Sequence, residues 1–359
     1  MIQDGIPIDG KIFVITGQNG SGKTRWLQHF SDEMLRNSAN KYFRLICLSG
    51  TVMDKFPLDG DPDKYAYFGR RTNSNMFSEI APYRRILAYM GSPEVELAIK
   101  AKRAKLAHSL LKSINLDSSL KIRFRRGRNS KTKVDEQKKE NLDLIVSLDD
   151  FEKCKKLSTR ENQVRSGLIH ISGVSFQKAG KEYELMDLSS GERTYALTIL
   201  ALAFSVTDHS TVVFDEPENS LHPLWQAKIM KDMWQLIANI SIGSRLIVAT
   251  HSPLIVSSAS DRETYILDMQ SQSDWIHSSL YGNSADVVLK QQFGLESPRA
   301  MSFLVEVRNC VEALVTSDTK PQAFREAASI LFDRPIELSV DDPLYGTVQD
   351  IRSKWELIK

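Results

Sequence analysis

The amino-acid sequence predicts an α/β protein with a mixed β-sheet, and three observations support this class. Short segments rich in β-branched residues, such as 11–16, alternate along the chain with helical patterns. The pattern G-x-x-x-x-G-K-T at 17–24 stands between the first strand and the first helix, where it indicates a phosphate-binding loop. Far downstream, the short buried strand 211–214 leads directly into two adjacent carboxylates, Asp215 and Glu216. Together these features predict an α/β head around a phosphate-binding loop.

The remaining elements follow from the same patterns, taken in chain order. Strands at 11–16 and 43–48 enclose a helix at 24–35, and the Gly-, Pro- and Asp-rich stretch 49–78 predicts a long loop. A helical pattern covers 93–116, whereas the charged and polar residues 121–141 indicate an exposed loop or hairpin. The sequence then predicts short strands at 168–172, 183–186, 211–214, 245–250 and 264–268, helices at 189–206 and 223–240, and a mainly helical tail from 285.

This order of elements divides the chain into four parts. Residues 1–92 form an amino-terminal lobe with the phosphate-binding loop, and 93–165 form a short helical and basic insertion. Residues 166–284 form the carboxyl-terminal lobe, and 285–359 form a helical extension.

Composition is that of an ordinary globular protein. Of the 359 residues, 42% are hydrophobic and 26% are charged, and no run approaches 18 consecutive apolar residues, so we expect no membrane span. The amino terminus lacks the charged-then-apolar pattern of a secretory signal. Cys47, Cys154 and Cys310 are odd in number and widely spaced, which is typical of structural thiols in a reducing compartment. We therefore expect a cytoplasmic protein.

The segment 17–24 carries the chemistry of phosphate binding. Its glycines allow backbone N–H groups to converge on phosphate oxygens, and the following helix start adds a favourable dipole. We expect Lys23 to contact the β- and γ-phosphates of ATP and the Thr24 hydroxyl to ligate Mg²⁺. The nucleotide-binding residues predicted here are Gly17, Asn19, Gly20, Ser21, Gly22, Lys23, Thr24 and Arg25. The alternative is a glycine-rich turn that matches the pattern by chance.

The acidic strand end supplies the complementary groups. Asp215 is placed to hold Mg²⁺ or its water shell, and Glu216 is placed to act as a general base toward an attacking water. The alternative is that the two carboxylates only cap the following helix.

A second helix start with anion-binding features lies at 188–193, about 25 residues before the acidic strand end. The Ser189 and Ser190 hydroxyls, the Gly191 amide and the helix N-terminus with Glu192 are suited to recognise a γ-phosphate. The alternative is that these residues form only a plain helix N-cap followed by an acidic first turn.

These motifs together resemble the ABC ATPase heads of the SMC and RecF type. In that family the segment 188–193 corresponds to the signature motif, and His251 to a switch histidine that senses the γ-phosphate. His222 corresponds to the D-loop, which communicates between two subunits. The run 215–223, Asp-Glu-Pro-Glu-Asn-Ser-Leu-His-Pro, is more similar to ABC ATPases of bacterial defence systems. These include the ATPase domain of OLD-family nucleases and the ATPases of Septu-like and retron-associated systems. A histidine at a strand end can also be purely structural.

The sequence departs from the family pattern in three places. There is no glutamine between Gln28 and Gln137, so the Q-loop residue that would complete the Mg²⁺ shell is unassigned. Ser190 and Glu192 stand where the common signature has Gly and Gln. The residues after Asp286 are too few for the Toprim nuclease domain of OLD-family proteins, so a nuclease would be a separate chain.

The resemblance implies a composite catalytic site. In ABC ATPases the phosphate-binding loop of one subunit faces the signature of another, so this chain would form a head-to-tail homodimer around two ATP molecules. ATP would join the protomers, and hydrolysis with Glu216, His251 and Lys23 as the catalytic residues would release them.

Charge is distributed unevenly along the chain. The segment from Lys100 to Glu140 contains 14 Lys and Arg against 4 Asp and Glu, a net charge of +10, and the remainder has a net charge of −8. Such a segment is often only a solvated face, but it also suits contact with a nucleic-acid backbone. Base stacking on single strands needs several aromatic residues, and this segment has one, Phe124. Contact with duplex DNA or structured RNA is therefore favoured.

The leading hypothesis is an ATP-binding and ATP-hydrolysing switch subunit that engages nucleic acid in bacterial anti-phage defence. It would act with an effector in trans, a nuclease or a toxin. The alternatives are a DNA repair or recombination ATPase of the RecF or SMC type and an ATP-gated scaffold that sequesters a toxic partner. A transporter's nucleotide-binding subunit is opposed by the altered signature, the missing glutamine and the basic insertion.

Overall fold

The structure is a computed structural model, and it describes residues 6–7, 9–37, 43–73, 75–127, 142–259, 262–270, 274–293, 299–315 and 321–358. The chain divides into two compact units, one that runs through Val288 and one that begins at Leu289.

The strands in chain order are β1 (Ile12–Thr16), β2 (Arg44–Ser49), β3 (Tyr65–Tyr67), β4 (Ser119–Arg126), β5 (Leu144–Ser147), β6 (Ile169–Lys178), β7 (Lys181–Glu184), β8 (Ser210–Asp215), β9 (Arg245–Ala249), β10 (Thr264–Asp268) and β11 (Ile276–His277). The helices are α1 (Lys23–Arg36), α2 (Ala81–Gly91), α3 (Leu97–Leu111), α4 (Leu157–Arg165), α5 (Ser190–Ser205), α6 (Pro223–Ile240), α7 (Pro253–Ser258), α8 (Ala285–Phe293), α9 (Met301–Val315), α10 (Pro321–Leu331) and α11 (Tyr345–Ile358).

The centre of the first unit is a seven-stranded sheet in the order β11-β10-β1-β9-β8-β2-β3. All neighbours in it pair in parallel except β10 and β11, which pair antiparallel. Every residue of β1, β2 and β8 is buried, which is the pattern of strands covered on both faces. The predicted mixed α/β sheet is therefore confirmed. The predicted loop 49–78 contains the short edge strand β3, which the sequence analysis did not identify.

A second, four-stranded antiparallel sheet has the order β5-β4-β6-β7. The prediction of an exposed loop or hairpin at 121–141 is wrong for 121–126, which belong to β4 and pair with β6. The alternating residues Leu120, Ile122 and Phe124 are buried, and this period of two is the strand signal beneath the charges. The insertion therefore contains strands as well as helices α3 and α4, whereas the sequence predicted a helical and basic insertion. Residues 128–141 lie outside the described part of the chain.

The second unit is helical, as predicted for the tail. Helices α9, α10 and α11 enclose a small core that includes Cys310, Phe324, Leu331 and Ile351. Cys47 is buried in the core of the first unit, Cys154 is half-buried, and all three thiols are free. Among the described helices, none combines the length and the apolar character that a bilayer crossing needs.

Candidate nucleotide-binding site

Three neighbouring parallel strands bring the predicted site residues to one edge of the large sheet. In the order β1, β9 and β8, their carboxyl ends lead into the phosphate-binding loop, into Thr250 and His251, and into Glu216. Ligands of open α/β sheets bind at this edge, because the loops after the strands and the starts of the helices converge there. Segments more than 200 residues apart in sequence are therefore adjacent in space.

The loop 17–24 has the backbone of a phosphate cradle. Gly17, Gly20 and Gly22 have φ angles of +144°, +84° and +100°, which side chains disfavour. Lys23 is buried and folds over its own loop, where its ammonium donates to the carbonyl oxygens of Gly17 at 2.8 Å and Gln18 at 3.1 Å. This places the Lys23 cation inside the loop, at the position where phosphate oxygens would be held.

Two buried polar atoms show that the loop fits a phosphate and a cation. The Ser21 hydroxyl oxygen and Asp215 Oδ1 are buried, and neither has a hydrogen-bond partner among the described residues. A buried polar atom without a partner is costly, and a bound ligand would satisfy it. Asn19 and Arg25, also predicted to bind the nucleotide, are exposed on the same loop and at the start of α1.

The predicted metal ligands lie in direct contact. The Thr24 hydroxyl donates to Asp215 Oδ2 at 2.9 Å. Asp215 is fully buried, and burial raises its pKa to about 7 in spite of the Thr24 hydrogen bond. No group of three or more His, Cys, Asp or Glu among the described residues could hold a metal by itself. The pair is suited to Mg²⁺, which keeps waters and phosphate oxygens as its other ligands.

Glu216 and His251 face each other beside this pair. His251 Nδ1 lies 3.8 Å from Glu216 Oε1, and the Asn219 amide donates to Glu216 Oε2 at 2.8 Å. Glu216 has a φ angle of +52°, a strained conformation for a residue with a side chain. Its backbone is held by a 2.9 Å hydrogen bond to the Ala249 carbonyl and by close packing against Gly50, where a Cβ would lie 2.0 Å from the Glu216 carbonyl oxygen.

Sequence reasoning missed two buried acids near this site. Asp54, in the loop after β2, accepts from the Tyr67 hydroxyl at 2.8 Å and pairs with Arg71 at 3.2 Å. Its negative charge contributes to the raised pKa of Asp215. Glu218 is 4% exposed, and burial raises its pKa although it accepts hydrogen bonds from Thr250 and His251. Asp54 follows a bend and Glu218 lies within a turn, and nothing in their local sequence distinguishes a buried acid from an exposed one.

The signature segment forms a capped helix start at the amino-terminal end of α5. Ser189 caps α5 and Glu192 completes a capping box, with the Ser189 amide donating to Glu192 Oε2 at 2.9 Å. Lys178, at the end of β6, donates to Glu192 Oε1 at 2.6 Å. Burial tends to raise the pKa of Glu192, but Lys178 and Ser189 outweigh it, and the net shift is downward. The alternative of an N-cap with an acidic first turn therefore describes the local structure correctly.

The D-loop packs against this helix start. A Cβ on Gly191 would lie 2.8 Å from the Ser220 carbonyl oxygen and 2.9 Å from the Trp225 ring. His222 caps α6, accepting at Nδ1 from the Leu224 amide at 3.3 Å. Ser190 is exposed. Within the described residues, no hydrogen bond or ion pair joins 188–193 to the phosphate-binding loop of the same chain.

The fold and the site define the class: an α/β P-loop protein with a phosphate cradle, a Thr–Asp pair and a glutamate–histidine pair at one sheet edge. The family described as "AAA domain, putative AbiEii toxin, Type IV TA system" matches residues 76–257, just over half of the chain. The chain belongs to this family. The match lies after the phosphate-binding loop and spans the signature, the acidic strand end and His251.

Two curated proteins are similar in sequence. Protein ea59 of Escherichia phage lambda is 23% identical over 272 residues, which cover 68% of this chain and 46% of that protein. The Retron Vc95 probable ATPase of Vibrio cholerae serotype O1 biovar El Tor is 29% identical over 102 residues, which cover 25% of this chain and 19% of that protein. The chain thus spans less than half the length of these relatives. The family match confirms the P-loop ATPase class that the motifs predict.

Among solved structures, one similar chain is a SmcHead bound to the C-winged helix domain of ScpA. It is 13% identical, with a TM-score of 0.32, and the alignment covers 76% of this chain and 91% of that chain.

Proposed function

We propose that this protein is an ABC-type ATPase subunit that binds and hydrolyses ATP with Mg²⁺ and uses the reaction as a switch. The observation that carries the proposal is the meeting of two pairs, Thr24–Asp215 and Glu216–His251, at adjacent strand ends beside Lys23. A phosphate cradle alone supports nucleotide binding, whereas the added base and switch residue support hydrolysis.

Each residue has a defined task in this proposal. The amides of 17–24, the Ser21 hydroxyl and the start of α1 bind the phosphates, and Lys23 exchanges its carbonyl partners for phosphate oxygens. Thr24 and Asp215 would hold Mg²⁺, which when bound offsets phosphate charge. Glu216 accepts the proton of the attacking water, while Asn219 orients its carboxylate and His251 contacts the γ-phosphate.

The second half of the site comes, we propose, from a second copy of the chain. The exposed Ser190 and the α5 N-terminus lie outside the hydrogen-bonded network of the loop 17–24 in the described part of the same protomer, so a partner protomer would supply them. Three exposed apolar side chains occur near these motifs in sequence: Met53 after β2 (68% exposed), Met186 before the signature (65%) and Leu224 after the D-loop (73%). Burial of such side chains would favour a protein–protein contact.

Substitution of Glu216 tests the hydrolysis step. Glu216→Gln should retain ATP binding and accumulate an ATP-bound dimer, with turnover reduced by about 10²- to 10⁴-fold because the base is lost. Phosphate release and light scattering measure the two effects. Glu152→Gln, at an exposed position, is the matched control. Parental turnover in Glu216→Gln would show that the base is misassigned.

Fewer cations of the segment 100–140 are exposed for contact with nucleic acid than the sequence suggested. Lys100 and Arg103 are buried and donate to the Ser92 and Val206 carbonyls, and Lys121 and Arg123 pair with Glu182 and Glu184 of β7. These four cations are engaged within the protein. The exposed cations of the described part of 100–140 are Lys102, Lys105, Lys112, Arg125 and Arg126. We propose that these contact duplex DNA or structured RNA.

Charge reversal tests this contact. Arg125→Glu with Arg126→Glu should lower the affinity for duplex DNA and make the slope of affinity against salt shallower by about 2, since two phosphate contacts are lost. Lys231→Glu on α6, also exposed, is the control. Binding that is unchanged in the Arg125 and Arg126 variant would remove the nucleic-acid role from this surface.

A role with a nuclease or toxin effector in anti-phage defence is supported by the family description and by the similarity to a retron ATPase. We propose that the ATP-driven dimer controls such an effector. Plaque counts on cells that carry the gene and its genomic neighbours test this role. If both Glu216→Gln and Lys23→Ala still protect the cells, the defence role does not depend on ATP turnover and this part of the proposal is wrong.

A further inference from the structure

We infer that the first unit contains a second ligand site, which takes a small organic oxyanion and binds its negative group through Arg44 and Arg85. The site is a cavity of about 430 Å³ beside β2, β3 and α2. The inference goes beyond the proposed function, because none of the residues that line this cavity belongs to the candidate nucleotide-binding site.

The cavity lies toward the edge of the large sheet opposite to the candidate nucleotide-binding site. Arg44 and Tyr65, which both line it, are the first residues of the parallel strands β2 and β3. Strand β2 also pairs in parallel with β8, and its last residue, Ser49, is in register with Asp215. Five residue steps of extended strand, roughly 16 Å, therefore separate Arg44 from the acidic strand end.

Two guanidinium groups stand in the wall of this cavity, and each is stacked on a tyrosine ring. The guanidinium carbon of Arg44 lies 4.7 Å from the centre of the Tyr89 ring. The guanidinium carbon of Arg85 lies 5.0 Å from the centre of the Tyr67 ring. All four residues line the cavity. A ring face attracts the cation, but the N–H groups of a guanidinium point outward in its own plane and still need acceptors.

Neither guanidinium has the counter-charge that its burial calls for. Arg44 is 8% exposed, and within the described residues its side chain makes one hydrogen bond, to the Pro62 carbonyl at 3.3 Å. Arg44 Nε and Arg85 Nη1 are buried without a hydrogen-bond partner in the described part of the chain, and no ion pair there joins either group to a carboxylate. Burial lowers the pKa of Arg85. A buried cation without a partner is costly, and a bound oxyanion would relieve that cost.

Carboxylates also line the cavity, but they do not meet this need. Asp59, Asp63 and Glu94 are exposed, so water solvates and screens their charges. Glu161 is buried, and it lies 3.7 Å from Arg165 on the same helix. The uncompensated charge among the buried groups of the cavity is therefore positive.

The walls indicate the chemical class of the ligand. Planar guanidinium groups bind carboxylate and phosphate oxygens through paired, charge-assisted hydrogen bonds. The tyrosine rings, Leu58 and Pro62 add apolar surface, and a volume of about 430 Å³ is that of a small-molecule site rather than of a bare ion. The shared chemistry is an oxyanion on a small organic body, which either a phosphate ester or a carboxylate supplies.

Calorimetric titration of the Lys23→Ala chain with phenyl phosphate and with benzoate tests the site. This substitution removes the lysine of the phosphate-binding loop and leaves the cavity unchanged. At least one of the two probes should bind at concentrations up to about 10 mM. Binding of phenyl phosphate assigns the site to phosphate esters, and binding of benzoate assigns it to carboxylates. Benzylamine, a cation of similar shape, should not bind.

Two neighbouring arginines of α2 supply the matched variants. In the Lys23→Ala background, Arg85→Gln should weaken binding at least about tenfold, because a charged donor is lost. Arg84→Gln, at an exposed position, should bind as its background does. Without a probe, the Tm of Arg85→Gln should equal or exceed that of its background, since an unpaired buried charge is removed.

Three outcomes would overturn the inference. They are no binding of either probe to Lys23→Ala, equal affinity in the Arg85→Gln and Arg84→Gln variants, and a Tm of Arg85→Gln below that of its background. None of these measurements uses ATP, so they stand whether or not the chain hydrolyses it.

Discussion

Asp215 shows most directly how the site opposes the stability of the fold. Its carboxylate is fully buried, one oxygen has no partner among the described residues, and Glu216, Glu218 and Asp54 add negative charge nearby. Burial raises its pKa from 3.8 to about 7, so the folded state holds a proton that the unfolded chain releases. The stabilising contribution of this protonated acid is complete below pH 3.8 and is lost as the pH rises through about 7.

Asp215→Asn should therefore stabilise the protein without Mg²⁺ and nucleotide. The amide cannot ionise but can still accept from Thr24, so Tm should rise by roughly 5 °C at pH 8 and by less than roughly 2 °C at pH 5. Thermal unfolding at the two pH values measures this difference. Asp187→Asn, at an exposed position, should show neither change. A lower Tm of Asp215→Asn at pH 8 would contradict this account, because it would mean that the ionised Asp215 carboxylate is stabilised in the folded protein.

At the scale of elements, the sequence predicted what local patterns determine. The strands β1, β8 and β10 and helices α1, α5 and α6 lie within about two residues of their predicted bounds, because apolar runs and capping residues mark them. Strand β4 was missed because its arginines suggested a solvated segment, and its partners β5 and β6 begin about 25 and 50 residues downstream of its own start. Glu218 was missed because its burial depends on Thr250 and His251 of another strand end.

The signature element shows how a departure from the common motif is accommodated. Glu192 stands where Gln is usual, and Lys178 from the antiparallel sheet offsets its charge. Because the Lys178 side chain is about one-third exposed, solvent screens the pair, and it contributes little to stability. In the proposed dimer, its role would be to offset the negative charge of Glu192 near the phosphate of ATP.

Lys178→Met should thus weaken ATP-dependent dimerisation and raise KM for ATP by about tenfold, which corresponds to ~1.4 kcal/mol. Glu192→Gln should restore most of the loss, since glutamine also completes a capping box and has no charge. Lys181→Met on the neighbouring strand is the control. If Lys178→Met has the same effect in the parent as in the Glu192→Gln background, the role of Lys178 is not to compensate the charge of Glu192.

At the scale of the whole molecule, the described part of one chain carries all four motifs, and no hydrogen bond or ion pair there joins the signature segment to the loop 17–24. The loop 17–24, Asp215, Glu216 and His251 meet at one sheet edge, and the signature helix begins between Lys178 of the antiparallel sheet and Ser220 of the turn after β8. We therefore propose that two protomers complete each other's sites.

Mixing two differently damaged chains tests this claim most directly. Both chains carry Glu216→Gln. In one chain, Lys23→Ala damages the phosphate-binding loop. In the other, Ser190→Glu puts a carboxylate at the exposed start of α5, where it is compatible with the helix dipole but repels phosphate. With ATP, each chain alone should remain monomeric by light scattering. The mixture should form dimers, because the intact phosphate-binding loop of the Ser190→Glu chain then meets the intact signature segment of the Lys23→Ala chain. A mixture that stays monomeric, or either chain dimerising alone with ATP, would contradict the composite site.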